Sequence, residues 1–211
     1  MTERPEALHL LVERPMTSAG GHTPWGGVDI DVHHDDDGLP GLRRSTLNAR
    51  LGEVCLEFLP AYPELAGAAT RLFGRTGAHE DIRVLSVRDA RLPTRVDRVV
   101  RSAVVGSRLT KYEALDAFTT VVTTTAIDAT GAPRHGSRRD VRAVRPGLTF
   151  VAELRWLAEP TATDLTCLAR AVLGLHQIGL GGTRGRGLVT ATLDGDPTAT
   201  RALARLDQRG S

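Results

Sequence analysis

Lysine is almost absent from this sequence: of 27 lysines and arginines, Lys111 is the only lysine. The basic surface is therefore built from planar guanidinium groups, which grip phosphate in bidentate fashion and stack on bases. A GC-rich genome also produces an arginine-dominated set, so placement along the chain has to decide. Cysteine is scarce as well. Cys55 and Cys167 are the only two, and both fall at apolar positions of expected helices, which favours reduced, buried thiols over a disulfide framework or a zinc site. Aromatic residues make up only 4%, so the core is expected to be aliphatic. No stretch approaches about 18 consecutive apolar residues, the length of a membrane span. The start, MTERPEALHLL, lacks the long apolar run of a secretory leader. The expectation is a cytoplasmic protein with no membrane partner.

What is present fits one globular domain with a large insertion: 211 residues, 41% hydrophobic, net charge +2. A chain of this size hides about 70% of its unfolded surface on folding. Period-two alternation over 7–13 suggests a first strand ended by Pro15, and a polar, glycine-rich loop follows over 15–41. From Ser45, a candidate N-cap, the apolar residues Leu47, Leu51, Val54, Cys55 and Phe58 keep helical spacing as far as Pro60. Strands are expected over 81–87 and 147–157, the latter with Phe150, Ala152, Leu154 and Trp156 on one face. Thr163 or Asp164 then caps a helix carrying Leu165, Leu168, Val172 and Leu175, and Val189, Ala191 and Leu193 line a last strand. From Asp194 the tail reads as a frayed helix.

In order, these elements are β-α-β followed by β-α-β. The fold class is α+β, with a ferredoxin-like (RRM-like) βαββαβ core: four antiparallel strands with helices on one face, the layout whose open sheet face binds single-stranded RNA in RNA-recognition domains. Segment 91–147 does not belong to that core. It holds TTVVTTTAI (119–127), a turn DATGAP (128–133) and RRDVRAV (138–144), and reads as an inserted hairpin within a single domain spanning 1–211. Long insertions in compact domains usually carry function.

The run QIGLGGTRGRGLV (177–189) packs five glycines and two arginines between a helix and a strand. It is no Rossmann fingerprint, since Arg184 stands where the third glycine belongs and the run follows a helix; a Walker A loop is excluded because there is no G-K-[ST]. Glycines that permit close backbone approach, with Arg184 and Arg186 for charge, suit an RNA backbone. A tight structural turn is the alternative. Arg43 and Arg44 open the first helix, where the dipole disfavours cations, so an anion between them and the free N–H groups would explain the pair. Solvated surface arginines are the competing account.

VDIDVHHDDDG (28–38) holds five aspartates and two histidines. It fails as an EF-hand, because aligning Gly38 with the loop glycine puts Arg44 where the bidentate Glu should be. Asp35, Asp36 and Asp37 before Gly38 read as a solvated turn. His33 and His34 are adjacent and poorly placed to chelate one ion together. His9 and His176 are given no chemistry.

Four elements in order give the chain a family likeness. They are a glycine pair (Gly20, Gly21) and His22 after the first strand; GGVD (26–29) leading to LPGLRRSTLNARL (39–51); AIDATGAPRHGSRRDVRAVRPGLTF (126–150); and IGLGGTRGRGLV (178–189). The chain resembles the RAMP superfamily (repeat-associated mysterious proteins), and within it the backbone subunits of type III CRISPR effector complexes. It departs from the family at the first helix, where Leu-Arg-Arg-Ser-Thr replaces Ser-Ser-x-Arg-Gly.

The resemblance implies an RNA-binding palm, a thumb formed by the hairpin, and copies of the subunit stacked with other subunits along a guide RNA, with target RNA paired between displaced bases. It assigns guide contact to Gly20, Gly21, His22, Arg43, Arg44, Ser45, Arg50, Gly181, Gly182, Thr183, Arg184 and Arg186. It also implies that Asp29, with Asp31 as runner-up, cuts target RNA at regular intervals with a divalent metal ion (Mg or Mn) held by Asp29. The alternatives are an architectural subunit without catalysis and a repeat-RNA processing ribonuclease with a histidine-centred site.

Overall fold

Leu8, Leu10 and Val12 are buried and Leu11 is exposed in the first strand of the computed structural model, as period-two alternation dictates. The structure describes residues 4–19, 27–74, 83–126, 128, 130–132 and 134–205. In chain order the regular elements are β1 (Ala7–Val12), α1 (Arg44–Phe58), α2 (Ala66–Phe73), β2 (Leu85–Val87), α3 (Thr94–Val105), α4 (Lys111–Phe118), β3 (Thr119–Thr124), β4 (Arg139–Val144), β5 (Thr149–Trp156), α5 (Ala162–Gly174), β6 (Val189–Leu193) and α6 (Pro197–Leu203). Of the strand expected over 81–87, residues 81 and 82 lie outside the described residues.

The palm is a four-stranded sheet of order β2-β5-β1-β6 in which every neighbour is antiparallel. Leu10 sits opposite Phe150 on one side and Ala191 on the other, so the three strands present their apolar sets to the same face. Against that face pack α1, α2 and α5. With β2, β5 and β6 as its second, third and fourth strands, this is the ferredoxin-like order. The core is aliphatic as expected: among the largest fully buried side chains Phe150 is the one aromatic. Cys55 of α1 and Cys167 of α5 are both free and buried. A hydrogen bond to Cys167, together with burial, pushes the Cys55 thiol up.

Two helix starts differ from the sequence expectation. Ser45 is not the N-cap of α1. Arg43 is, with an extended backbone and no side-chain cap, and the first N–H, that of Arg44, is instead given to Asp89 Oδ1 at 2.7 Å. The cap is therefore a tertiary contact from just beyond β2. For α5 the cap is Thr161, two positions before the expected Thr163: its hydroxyl accepts from the Asp164 N–H, and Asp164 answers by accepting from the Thr161 N–H at 2.8 Å. Asp164 is fully buried and also meets Arg71 at 3.0 Å. Within the tail after Asp194, residues 197–203 form a helix, α6, capped by Asp196 and packed on α5 and β6.

Segment 91–147 contains two helices, α3 and α4, before the antiparallel ribbon β3–β4. Thr110 and Glu113 form a capping box that opens α4. The far edge of β4 is not free. Met16 bridges to Val144 antiparallel and Ile30 bridges to Val141 in parallel, so the long loop after β1 is laid along the hairpin.

Candidate functional site

Three separate stretches of sequence meet at residues 15–18. Gly187 donates its N–H to the Pro15 carbonyl and Leu180 to that of Thr17, both at 2.9 Å, which docks the glycine-rich loop. The Thr17 hydroxyl donates to the Arg142 carbonyl at 2.9 Å, which docks β4. His33 N–H donates to the Ser18 carbonyl at 2.8 Å, which docks the acidic loop. Gly20, Gly21 and His22, which follow directly, lie outside the described residues.

The two aspartates proposed from sequence have opposite surroundings. Asp29 is exposed. Its N–H donates to the Asp140 carbonyl at 2.8 Å, and its Oδ2 accepts the Asp140 N–H at 2.7 Å. The carboxylate is thus held by one oxygen on the backbone of β4, and among the described residues Oδ1 takes no hydrogen bond. Asp31 is turned inward: its side chain is 3% exposed and Oδ1 lies 3.1 Å from Arg142 Nε. The Asp140 carboxyl is held below the usual carboxylate range by the Thr123 hydroxyl, 2.6 Å away.

The acidic run forms the expected turn, but it is not simply solvated. Asp35 Oδ1 accepts the N–H groups of Asp37 and Leu39, at 3.1 and 3.0 Å. Arg101 of α3 then clamps the carboxylates of Asp35, Asp37 and Asp97 together. Among the described residues no group of three His, Cys, Asp or Glu is placed to hold a metal ion. His33 accepts from Arg43 Nε at 3.4 Å, and His34 is buried with Nδ1 3.0 Å from the Asp35 carbonyl oxygen.

The arginines divide into engaged and unengaged groups. Arg50 of α1 donates Nε–H to the Gln177 carbonyl at 3.1 Å and pairs with Glu53, tying α1 to the root of the glycine-rich loop. Arg44 and Ser45 are exposed on the first turn of α1. Thr183 and Arg184 are exposed, Arg186 is half-buried, and neither arginine of the loop has a carboxylate partner among the described residues. Gly181 precedes a short 3-10 turn, Gly182–Arg184, and Gly182 abuts the Gln177 side chain so closely that a Cβ there would overlap it. At Gly187 (φ +69°) a Cβ would overlap the Ile178 carbonyl oxygen, whereas at Gly185 (φ +68°) it would meet nothing within 4 Å. Part of the glycine content is therefore demanded by the protein's own backbone, and the apex is left open.

The open face of the sheet does not offer the stacking platform of an RNA-recognition domain. Between the buried positions β1 presents Ala7, His9 and Leu11, and β5 presents Thr149, Val151, Glu153 and Arg155. These central strands place no Phe, Tyr or Trp there for a base to stack on. The groove beside them, about 1300 Å³, balances Arg44, Arg88, Arg91 and Arg155 against carboxylates that include Asp89 and Glu153. The glycine-rich loop, exposed at Thr183, Arg184 and Gly185, is a separate surface, tied at its root to the middle of α1 by Arg50.

No protein-family model matches this chain, and no characterised protein matches it in sequence. The fold does have relatives. A chain in the cryo-EM structure of the Type III-B Cmr-beta bound to cognate target RNA superposes with a TM-score of 0.67 at 11% identity, covering 96% of this chain and 99% of that one. A chain of Type III-B Cmr-beta in the apo state gives a TM-score of 0.66 at 11% identity, over 90% and 97%. The likeness runs almost end to end on both sides. The protein therefore shares the fold of these Type III-B Cmr-beta chains.

Proposed function

We propose that the protein is a guide-RNA-binding backbone subunit of a type III CRISPR ribonucleoprotein, and that Asp29 cuts target RNA paired to the guide. The observation that carries the reading is the end-to-end likeness in fold to a chain of a complex bound to target RNA. The arginines of the glycine-rich loop, which have no carboxylate partner among the described residues, and the exposed, backbone-anchored Asp29 support it. Arg44, Arg184 and Arg186 neutralise guide phosphates, and the open apex at Gly185 lets the RNA backbone approach. The hairpin β3–β4 is the thumb that separates bases, and Asp29, hydrogen-bonded to Asp140 of β4, stands beside the end of the ribbon nearest its connecting loop.

The reaction is attack of a ribose 2′-hydroxyl on its own phosphate, which expels the 5′-oxygen of the next nucleotide and leaves a cyclic phosphate. Among the described residues Asp29 offers one carboxylate oxygen that takes no hydrogen bond, and no group of three ligating side chains stands ready, so the site fits an ion completed by phosphate oxygens and water, as magnesium or manganese is commonly held. Such an ion would supply positive charge to the phosphoryl oxygens. The fixed carboxylate contributes by orientation or by taking the 2′-hydroxyl proton. A purely architectural subunit is the second reading, because the Asp29–Asp140 bond by itself gives the carboxylate a structural task.

The test is Asp29→Ala in the assembled complex. Cleavage should fall at least about 100-fold, the loss that follows removal of one preorganised transition-state contact, with guide and target affinities nearly unchanged. An Asp29→Ala complex that cuts at the wild-type rate removes the catalytic assignment. A wild-type complex that never cuts establishes the architectural reading.

A further inference from the structure

We propose that Arg142 is the positioning residue for Asp29, acting through a buried ion pair with Asp31; the inference rests on the function proposed above. Arg142 touches the chain on the C-terminal side of Asp29 twice. Its backbone N–H donates to the Ile30 carbonyl at 2.9 Å, and its Nε lies 3.1 Å from Asp31 Oδ1, with the two side chains 7% and 3% exposed. The same guanidinium reaches Thr119 Oγ1 at 3.2 Å at the start of β3 and Asp116 at the end of α4. Its carbonyl accepts from Thr17. One side chain therefore binds helix, ribbon and acidic loop into a single unit.

A buried ion pair is a poor source of net stability, because desolvation offsets the attraction and apolar residues of similar volume do as well. What this one supplies is a choice between two aspartates two residues apart. Pairing with Arg142 turns Asp31 inward, and the loop then delivers Asp29 to the Asp140 N–H with its second oxygen outward. A lysine would not replace Arg142, since only the planar fork addresses Asp31 and Asp116 from different atoms at once. Asp31, adjacent in sequence to the candidate site, is thereby assigned to orientation and not to chemistry.

Hydrogen exchange at the amides of residues 140 and 142 in the full-length protein reads the docking of the loop, and single-turnover cleavage by the assembled complex reads its consequence. Arg142→Met should lose protection at both amides and cut about 100-fold more slowly, the scale of a misplacement near 1 Å, with target affinity unchanged. Asp116→Ala, which removes one exposed arm of the network, should show the same pattern at a few-fold, and it carries the test if Arg142→Met does not fold. Wild-type cutting by Arg142→Met overturns the proposal, as does lost cutting with both amides still protected, which would place Arg142 on the RNA. If the wild-type complex does not cut at all, the proposed function falls while the exchange experiment still decides whether Arg142 places Asp29: retained protection overturns it and lost protection upholds it.

Discussion

Substituting alanine at Gly187 and at Gly185 separates the two reasons a loop can be rich in glycine. Both residues have left-handed backbones, φ +69° and +68°, which cost an alanine about 1–2 kcal/mol. At Gly187 the added Cβ would also overlap the Ile178 carbonyl oxygen. Relieving that overlap means separating the two strands of the loop and losing the bond from Ile178 N–H to the Gly187 carbonyl, 2.9 Å long, beside a fully buried Ile178. A buried group left unpaired adds about 1–3 kcal/mol. The sum for Gly187→Ala is about 3.5 kcal/mol, a fall in Tm of about 10 °C for a chain of this length. For Gly185→Ala only the backbone term applies, and Tm should fall by about 4 °C. RNA binding should rank them the other way. Once folded protein is compared with folded protein, Gly185→Ala should bind guide RNA about tenfold more weakly, because its methyl group occupies the open apex; tenfold corresponds to about 1.4 kcal/mol. Calorimetry and filter binding at two salt concentrations provide both readings. If Gly187→Ala melts with the wild type, the steric argument is wrong. If Gly185→Ala binds RNA like the wild type, phosphates do not approach the loop at its apex.

Replacing Arg184 and Arg186 with alanine should weaken guide binding regardless of sequence and reduce the slope of log K against log salt by about 1.4, two single-strand phosphate contacts at about 0.7 each; an unchanged slope refutes the contact. Asp164→Ala removes the buried half of the α5 capping box and the partner of Arg71, whose side chain is 41% exposed, so the expected loss is about 2–4 kcal/mol by urea unfolding, and a loss below about 1 kcal/mol would show that the network is dispensable. Acid should loosen the hairpin before the palm. The Thr130 hydroxyl holds the Asp128 carboxyl below its ordinary value of 3.8, and the Thr123 hydroxyl does the same for Asp140. Their contribution is complete above that value and is lost as pH falls through the lower folded values. Hydrogen exchange confined to the hairpin on acidification would show it, and palm and hairpin opening together would contradict it.

The palm was legible because its signals are local. Alternation in β1, β5 and β6 and the 3.6-residue spacing of Leu47, Leu51, Val54 and Cys55 survive in the sequence because each face meets one core. The helices α3 and α4 were not foreseen. TRVDRVVRSAVV contains five valines, which favour strands on intrinsic grounds, and α3 has no fully buried residue to mark an inner face. The caps were misplaced for a different reason: α1 takes its cap from Asp89, 45 residues away, and no local pattern records that. The candidate site was legible only as pieces. Asp29, Asp31 and the arginine-bearing loop stand out as residue types, but which aspartate faces water depends on Arg142, 111 residues beyond Asp31, and on the bridge from Ile30 to Val141. The clamp of Arg101 on Asp35 and Asp37 likewise joins positions more than 60 residues apart.

Asp29 is hydrogen-bonded to β4, and Ile30 is bridged to it. The carboxylate therefore travels with the hairpin wherever the hairpin goes. If copies stack as the proposed function has it, each prising bases apart with its own ribbon, the offset between the wedge and the blade would be built into a single chain. It would not depend on how tightly one copy sits on the next. The interval between cuts would then be set by subunit repeat alone, and a complex that flexes would still cut in register. Trimming only the connecting loop, residues 128–137, would blunt the wedge and leave the blade mounted, because the mounting residues Asp140, Arg142 and Val144 lie within the paired ribbon.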